Sequence, residues 1–231
     1  MSAIFIIGGI RVRRFIRFIV RWIKGLLVLL LMIAVLFSLT PVTLSIPEQS
    51  QYPSLPNGCE SVSAAACLNY LGEYTAAETF ASEFLPKGPI GTVHPKKAYV
   101  GEPSAEGYYC FQKPLVQGIN SFLSTRDTTV RAKSHPFVPF LEVALRVHFK
   151  KPVIVWTTVD GKLPSKNSGV VWNINGRNYD PYDNLHVVVV DGMKGLQVHV
   201  VDSVNGAHWT SLIEFLPRYY AMGMRAVYFT D

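Results

Sequence analysis

Cys59 follows the turn Pro56-Asn57-Gly58 and opens the run Cys59-Glu60-Ser61-Val62-Ser63-Ala64. A thiol at the first residue of a helix meets the positive end of the helix dipole and unpaired backbone N–H groups. Both favour the thiolate, the form that attacks an acyl carbon. Such a nucleophile needs a base and a group to orient that base. His186 heads the apolar run to Val190, Asp202 follows the run Leu196–Val201, and Met193-Lys194-Gly195 lies between them in the pattern of a β-hairpin. With a three-residue turn, His186 stands directly opposite Asp202, with Cβ atoms ~5 Å apart. A carboxylate at that range holds one imidazole nitrogen and fixes the tautomer. A bulge or another turn would slip the register. His94, His135, His148, His199 and His208 show no such partner. The plainer alternatives are a small core cysteine and a surface His–Asp pair. Cys67, mid-helix among alanines, reads as a core residue or half of a disulfide.

The elements that must position these side chains come as helices first and strands second. After the proline-rich entry Ile46 to Asn57, a helix is expected from Gly58 to Leu71, with Ala64, Leu68 and Leu71 on one face and Gly72 as its stop. Thr75 and Glu78 form a capping-box pattern for a second helix carrying Phe80 and Phe84. Pro86 to Gly107 reads as a long loop. A third helix begins at Pro114 with Leu115, Ile119 and Phe122 or Leu123 inward, and a fourth runs from about Phe137 to Phe149. Strands are expected at Val153–Val159, Val170–Ile174, His186–Val190, Leu196–Val201 and Ala226–Phe229. This order, without β-α alternation, predicts an α+β domain with a mostly antiparallel sheet.

The chain has 231 residues, 49% of them apolar and 16% charged, which suits one domain plus an appendage and excludes a disordered chain. Three cysteines are too few for a disulfide framework. Of the 22 basic residues, six (Arg11, Arg13, Arg14, Arg17, Arg21 and Lys24) lie within the first 24 positions, leaving 16 cations against 16 acids. The net charge of +6 therefore belongs to one short segment, and the body carries no footprint for nucleic acid. Gly25 to Ser45 holds no charge, enough to span a ~30 Å hydrocarbon core. The cations before it predict a cytoplasmic amino terminus and a body outside the cell membrane, single-pass. The alternatives are a cleaved secretory signal, although no A-x-A-like site follows, and a buried core helix. The expected organisation is a basic cytoplasmic segment at 1–24, a transmembrane anchor or signal at 25–45, and the folded domain at 46–231. No CxxC or HxxxH pair and no glycine-rich phosphate loop occurs, so neither metal nor cofactor is expected.

The stretch Gln51-Tyr-Pro-Ser-Leu-Pro-Asn-Gly-Cys59-Glu-Ser-Val-Ser-Ala, continuing to Leu68-Asn-Tyr-Leu-Gly72, resembles the nucleophile motif of the peptidase family 39-like proteins. These are papain-like-fold relatives of the double-glycine leader peptidases of bacteriocin exporters. Val100-Gly-Glu-Pro-Ser104, Gly107-Tyr-Tyr-Cys110, Lys151–Trp156, His186–Val190 and Val200-Val-Asp202 match further segments in the family's order. The resemblance covers Pro47 to the end. It implies a bacterial, extracytoplasmic cysteine peptidase in which the nucleophile helix packs on the sheet. Cys59 would be the nucleophile, His186 the general base and then acid, Asp202 its orienter, and Gln51 the side-chain donor to the oxyanion. The partners implied are a peptide or protein substrate and the membrane. Glu102 stands where relatives usually have Asp, and Ser203 where many have Pro. The competing expectation is an inactive or acyl-transferring papain-like surface module that binds peptides or cell-envelope components. Cys67 lies too far along the helix to bridge Cys59, so in an oxidising exterior a Cys67–Cys110 bridge with Cys59 free is expected.

Overall fold

The computed structural model describes residues 14–32, 40–167 and 169–231 in full and the backbone alone of residues 3–13 and 33–39. It divides into two units, Met1–Pro41 and Val42–Asp231. The first is the helix α1 (Ala3–Leu39), with no acidic residue in its first turn and its described large apolar side chains, such as Trp22 and Leu31, exposed. Among the described residues no helix is long and apolar enough to cross a membrane. Of the expected span at 25–45, the side chains of 33–39 lie outside the described residues. Its last residues have another role: β1 (Val42–Thr43) is a strand of the second unit, and Val42 and Leu44 are buried there.

The second unit opens its helical half with α2 (Cys59–Tyr70), which starts where the Asn-Gly turn predicts. Its sequence is dominated by Ala, Ser and Cys, and Ala64 through Leu68 are almost completely buried. Small side chains on every side of a helix are what burial all round requires. The second helix is shorter than expected: α3 (Ala77–Thr79) runs into a π-turn at Phe80–Phe84. The Thr75–Glu78 capping box does not form, because Ala76 holds the cap position without a side-chain bond and the Thr75 N–H donates instead to Asn69 Oδ1 at 2.8 Å. The long loop contains two short paired segments, β2 (Lys87–Gly88) and β3 (Tyr99–Val100). Next come α4 (Gln112–Leu123), with Leu115, Ile119, Phe122 and Leu123 buried as expected, β4 (Arg131–Lys133), and α5 (Phe140–His148).

The strand half contains β5 (Val153–Thr158), β6 (Trp172–Ile174), β7 (Arg177–Tyr179), β8 (Leu185–Lys194), β9 (Gln197–Val201) and β10 (His208–Ser211), then α6 (Leu212–Ala221) and β11 (Ala226–Thr230). The main sheet runs β10-β9-β8-β5-β11-β4, and β1 also pairs with β8. All of these pairings are antiparallel. Burial along β5 and from His186 to Met193 on β8 is continuous rather than alternating, so both faces of the sheet centre are covered. β4, β7, β10 and α6 were not expected from the sequence. Each of those strands is three or four residues long, and α6 carries Pro217, which reads as a breaker.

Candidate active site

The segment leading into α2 is pinned at both ends. The Leu55 N–H donates to the Gln51 carbonyl at 2.7 Å and the Gly58 N–H to the Leu55 carbonyl at 2.8 Å. Asn57 bonds the Pro103 and Ala105 carbonyls, and its own carbonyl accepts from Tyr99 Oη at 2.6 Å. A Cβ on Gly58 would fall 2.5 Å from Leu55 Cβ, so only glycine allows this tight approach to the helix start.

Cys59 is the first residue of α2, with its side chain buried. Its S–H donates to Glu60 Oε2 at 3.2 Å, not to His186. Glu60 is itself fully buried, and its Oε1 accepts the Cys110 N–H at 2.7 Å. Burial pushes the Glu60 carboxyl up to about 7, with the Cys110 bond pulling the other way. Burial also raises the Cys59 thiol well above its ordinary value, reinforced by the Glu60 charge and the bond to it. The Val187 backbone works in the opposite direction. One turn on, Ser63 Oγ donates to the Val187 carbonyl at 3.4 Å, tying α2 to the strand residue next to His186.

His186 and Asp202 meet, though not through the expected register. The hairpin turns on Gly195-Leu196, between the pair Lys194↔Gln197, and a bulge at Asp191 shifts the ladder so that Val190 faces Val200 and Val189 faces Val201. Extended by one residue, this register sets Asp202 opposite Val188, a diagonal neighbour of His186. His186 Nε2 nevertheless bonds Asp202 Oδ1 at 2.7 Å, and both side chains are buried. Burial favours protonation of Asp202, but the bond and charge of His186 and the donors Val204 N–H and Asn205 overcome it. The carboxyl stays well below the usual range. An ionised Asp202 makes Nε2 the protonated nitrogen and leaves Nδ1 as the one able to exchange a proton.

Gln51 is buried and is held by Ser203, the residue that follows Asp202. Its N–H donates to the Ser203 carbonyl at 3.0 Å, its Oε1 accepts from Ser203 Oγ at 2.7 Å, and its Nε2 donates to the Pro56 carbonyl at 2.7 Å. Ser203, the departure from the family's proline, thus anchors the Gln51 side chain. Glu102, the other departure, forms an ion pair with Lys87 at 2.9 Å.

The expected Cys67–Cys110 bridge is absent: all three thiols are free and buried. Cys110 sits at the first turn of α2 against Glu60, whereas Cys67 lies eight residues after Cys59 on the same helix, where the charge it feels is that of Asp191. Sequence reasoning missed two groups here. Glu60 reads as an ordinary acid in a helical first turn, and only the small residues around it indicate that this turn is buried. His199, expected to lack a partner, bonds Asp191 through Nδ1 at 2.6 Å because the bulge brings the two side chains together. Among the described residues no group of three or more His, Cys, Asp or Glu could hold a metal ion.

A family model described as the Peptidase_C39 like family matches residues 43–227. No curated protein matches the chain. Among solved structures, a C39-like peptidase from Bacillus anthracis is similar with a TM-score of 0.72 at 22% identity, over 83% of this chain and 98% of that one, a likeness of fold alone. Xylellain, a cysteine protease from Xylella fastidiosa, matches at a TM-score of 0.40 and 11% identity over 82% and 84% of the two chains, too weakly to carry any argument.

Proposed function

The chain belongs to the peptidase C39-like family, and on that premise we propose that it is a cysteine peptidase that cleaves peptide bonds with Cys59, His186, Asp202 and Gln51. The observation that carries this reading is the buried 2.7 Å bond between His186 Nε2 and Asp202 Oδ1. It lies on the strand whose Val187 carbonyl accepts from Ser63 Oγ of α2, the helix that Cys59 opens.

The resting thiol is turned toward Glu60, so the first event is its release. His186 Nδ1 takes the Sγ proton, the thiolate adds to the peptide carbonyl, and Asp202 holds the resulting imidazolium. One amide hydrogen of Gln51 is committed to Pro56. The other, with a backbone N–H at the start of α2, receives the oxyanion. His186 returns its proton to the departing amine, leaving a thioester. It then takes a proton from water, whose oxygen attacks the thioester and releases the acid and the thiol.

The same reading has the domain outside the cell membrane, held by the amino-terminal segment, on the strength of six cations ahead of a charge-free run. Protease added to intact cells should then digest the domain, and full protection would sink that orientation. For the chemistry, surface peptides cleaved by cells carrying the intact chain should disappear with Cys59→Ala or His186→Ala. An unchanged peptide set would remove the peptidase reading. A second reading, a papain-like module that binds peptides without cleaving them, is favoured by one observation: the thiol is protonated and bonded to Glu60. Slow iodoacetamide labelling of Cys59 across the neutral range, unaltered by loss of His186, is its signature.

A further inference from the structure

Glu60 is a carboxyl with no exposed surface, held from both sides: Oε1 by the Cys110 N–H at 2.7 Å and Oε2 by the Cys59 S–H at 3.2 Å. Such a group is costly to ionise unless a cation or enough donors surround it. The groups acting on it are few. On α2 they are the Cys59 thiol and its own backbone N–H, and on the segment before α4 the Cys110 thiol and N–H. From β3 it is approached by Tyr99, whose hydroxyl proton is given away to the Asn57 carbonyl. The buried titratable groups of β8, His186 bonded to Asp202 and Asp191 bonded to His199, are not among the groups acting on it. No Lys or Arg is among the groups acting on it.

We propose that Glu60 is a positioning residue that sets the protonation state of the nucleophile. Ionised, it holds Cys59 as an S–H donor and repels the thiolate. Neutral, its own hydroxyl donates to the sulfur and supports the thiolate opposite the His186 imidazolium. This inference rests on Cys59 being the nucleophile. It deepens that reading by making the site favour acid conditions, since the burial that pushes Glu60 up to about 7 places the change at neutral pH. An ordinary thiol gains about tenfold in thiolate per pH unit below its own pKa. Here the ionisation of Glu60 opposes that rise once pH passes neutrality.

The test is iodoacetamide labelling of the full chain in mild detergent, with the Cys59-containing peptide quantified by mass from pH 5 to 9. The labelling rate of the natural chain should flatten or fall above pH 7. Glu60→Gln keeps an oxygen for the Cys110 N–H and an amide donor for the sulfur, so its rate should climb steadily and exceed the natural chain's at pH 8 at least tenfold. Profiles that agree within twofold overturn the proposal. If Glu60→Gln does not fold, carboxyl ¹³C NMR of the natural chain and of Cys59→Ala gives the same decision. Glu60 should titrate near neutrality and move upward when the S–H donor is removed. Titration in the ordinary carboxylate range, or no movement, overturns it. His186→Ala separates the two claims. If it leaves Cys59 labelling unchanged while Glu60→Gln alters it, the peptidase reading fails and what stands is control of the Cys59 thiol by Glu60, with no nucleophilic role; the reverse pattern removes Glu60 alone.

Discussion

Replacing Glu60 with Gln should change how the stability of the protein depends on pH, by an amount fixed by its burial. The carboxyl titrates at 4.5 in the unfolded chain and near 7 in the folded one. A raised carboxyl binds its proton more tightly when folded, so its contribution is fully present below pH 4.5 and is lost as pH rises through 7. At 1.36 kcal/mol for each pH unit of difference, the loss is ~3 kcal/mol, a large part of a typical folding free energy. Other groups add their own slopes. Asp191 is raised too and acts in the same direction, while lowered Asp202 acts in the opposite sense at a more acid pH. Both are present in either protein and cancel in the difference. Urea unfolding of the full chain in detergent should therefore show Glu60→Gln gaining ~3 kcal/mol on the natural chain between pH 4.5 and 8. A gap that moves by less than about 1 kcal/mol over that range would mean that Glu60 is either solvated or paired with a cation, and the reasoning about its environment would fail.

Asp202→Asn should fold normally, because an amide oxygen in place of Oδ1 keeps the donors His186 Nε2, Val204 N–H and Asn205 N–H. The bond to His186 then loses its charge assistance, about 1–1.5 kcal/mol, which should slow Cys59 labelling or peptide cleavage at neutral pH about tenfold. Gln51→Ala should lower turnover by ~10²–10³ with little change in substrate affinity, as removal of an oxyanion donor does. Ser203→Ala, which takes away the hydroxyl holding Gln51 Oε1, should give a smaller loss of the same kind, seen in kcat rather than KM. Mass mapping without reductant should find no Cys67–Cys110 bridge, in keeping with the free thiols of the folded chain.

The elements with strong periodicity were legible in the sequence: α2, α4 and β5 lie within a residue or two of their expected bounds, and the antiparallel α+β arrangement follows from their order. What escaped has local causes. The hairpin turns on Gly195-Leu196 rather than Met193-Lys194-Gly195, and the bulge at Asp191, which leaves no mark in the apolar pattern Val187–Val190, recovers only one residue of that slip. The arithmetic that paired His186 with Asp202 used the wrong register and reached the right pair because diagonal neighbours also touch. Ser203 was legible only as a departure from a family pattern. Its bond to Gln51 joins residues 152 positions apart and has no local signal. Glu60 was hidden because burial of a helical first turn is a property of what packs on it.

The strand order also governs when the fold can close during synthesis. β11 lies inside the sheet, between β5 and β4, although it follows Cys59, His186 and Asp202 in the sequence. Gln51, early in the domain, must likewise wait for Ser203 before its side chain is held. Contacts of such long sequence separation form late and slowly. A chain emerging from the ribosome therefore displays the Cys59 thiol long before its sheet is complete. Only delivery of Ala226–Thr230 completes the sheet between β5 and β4.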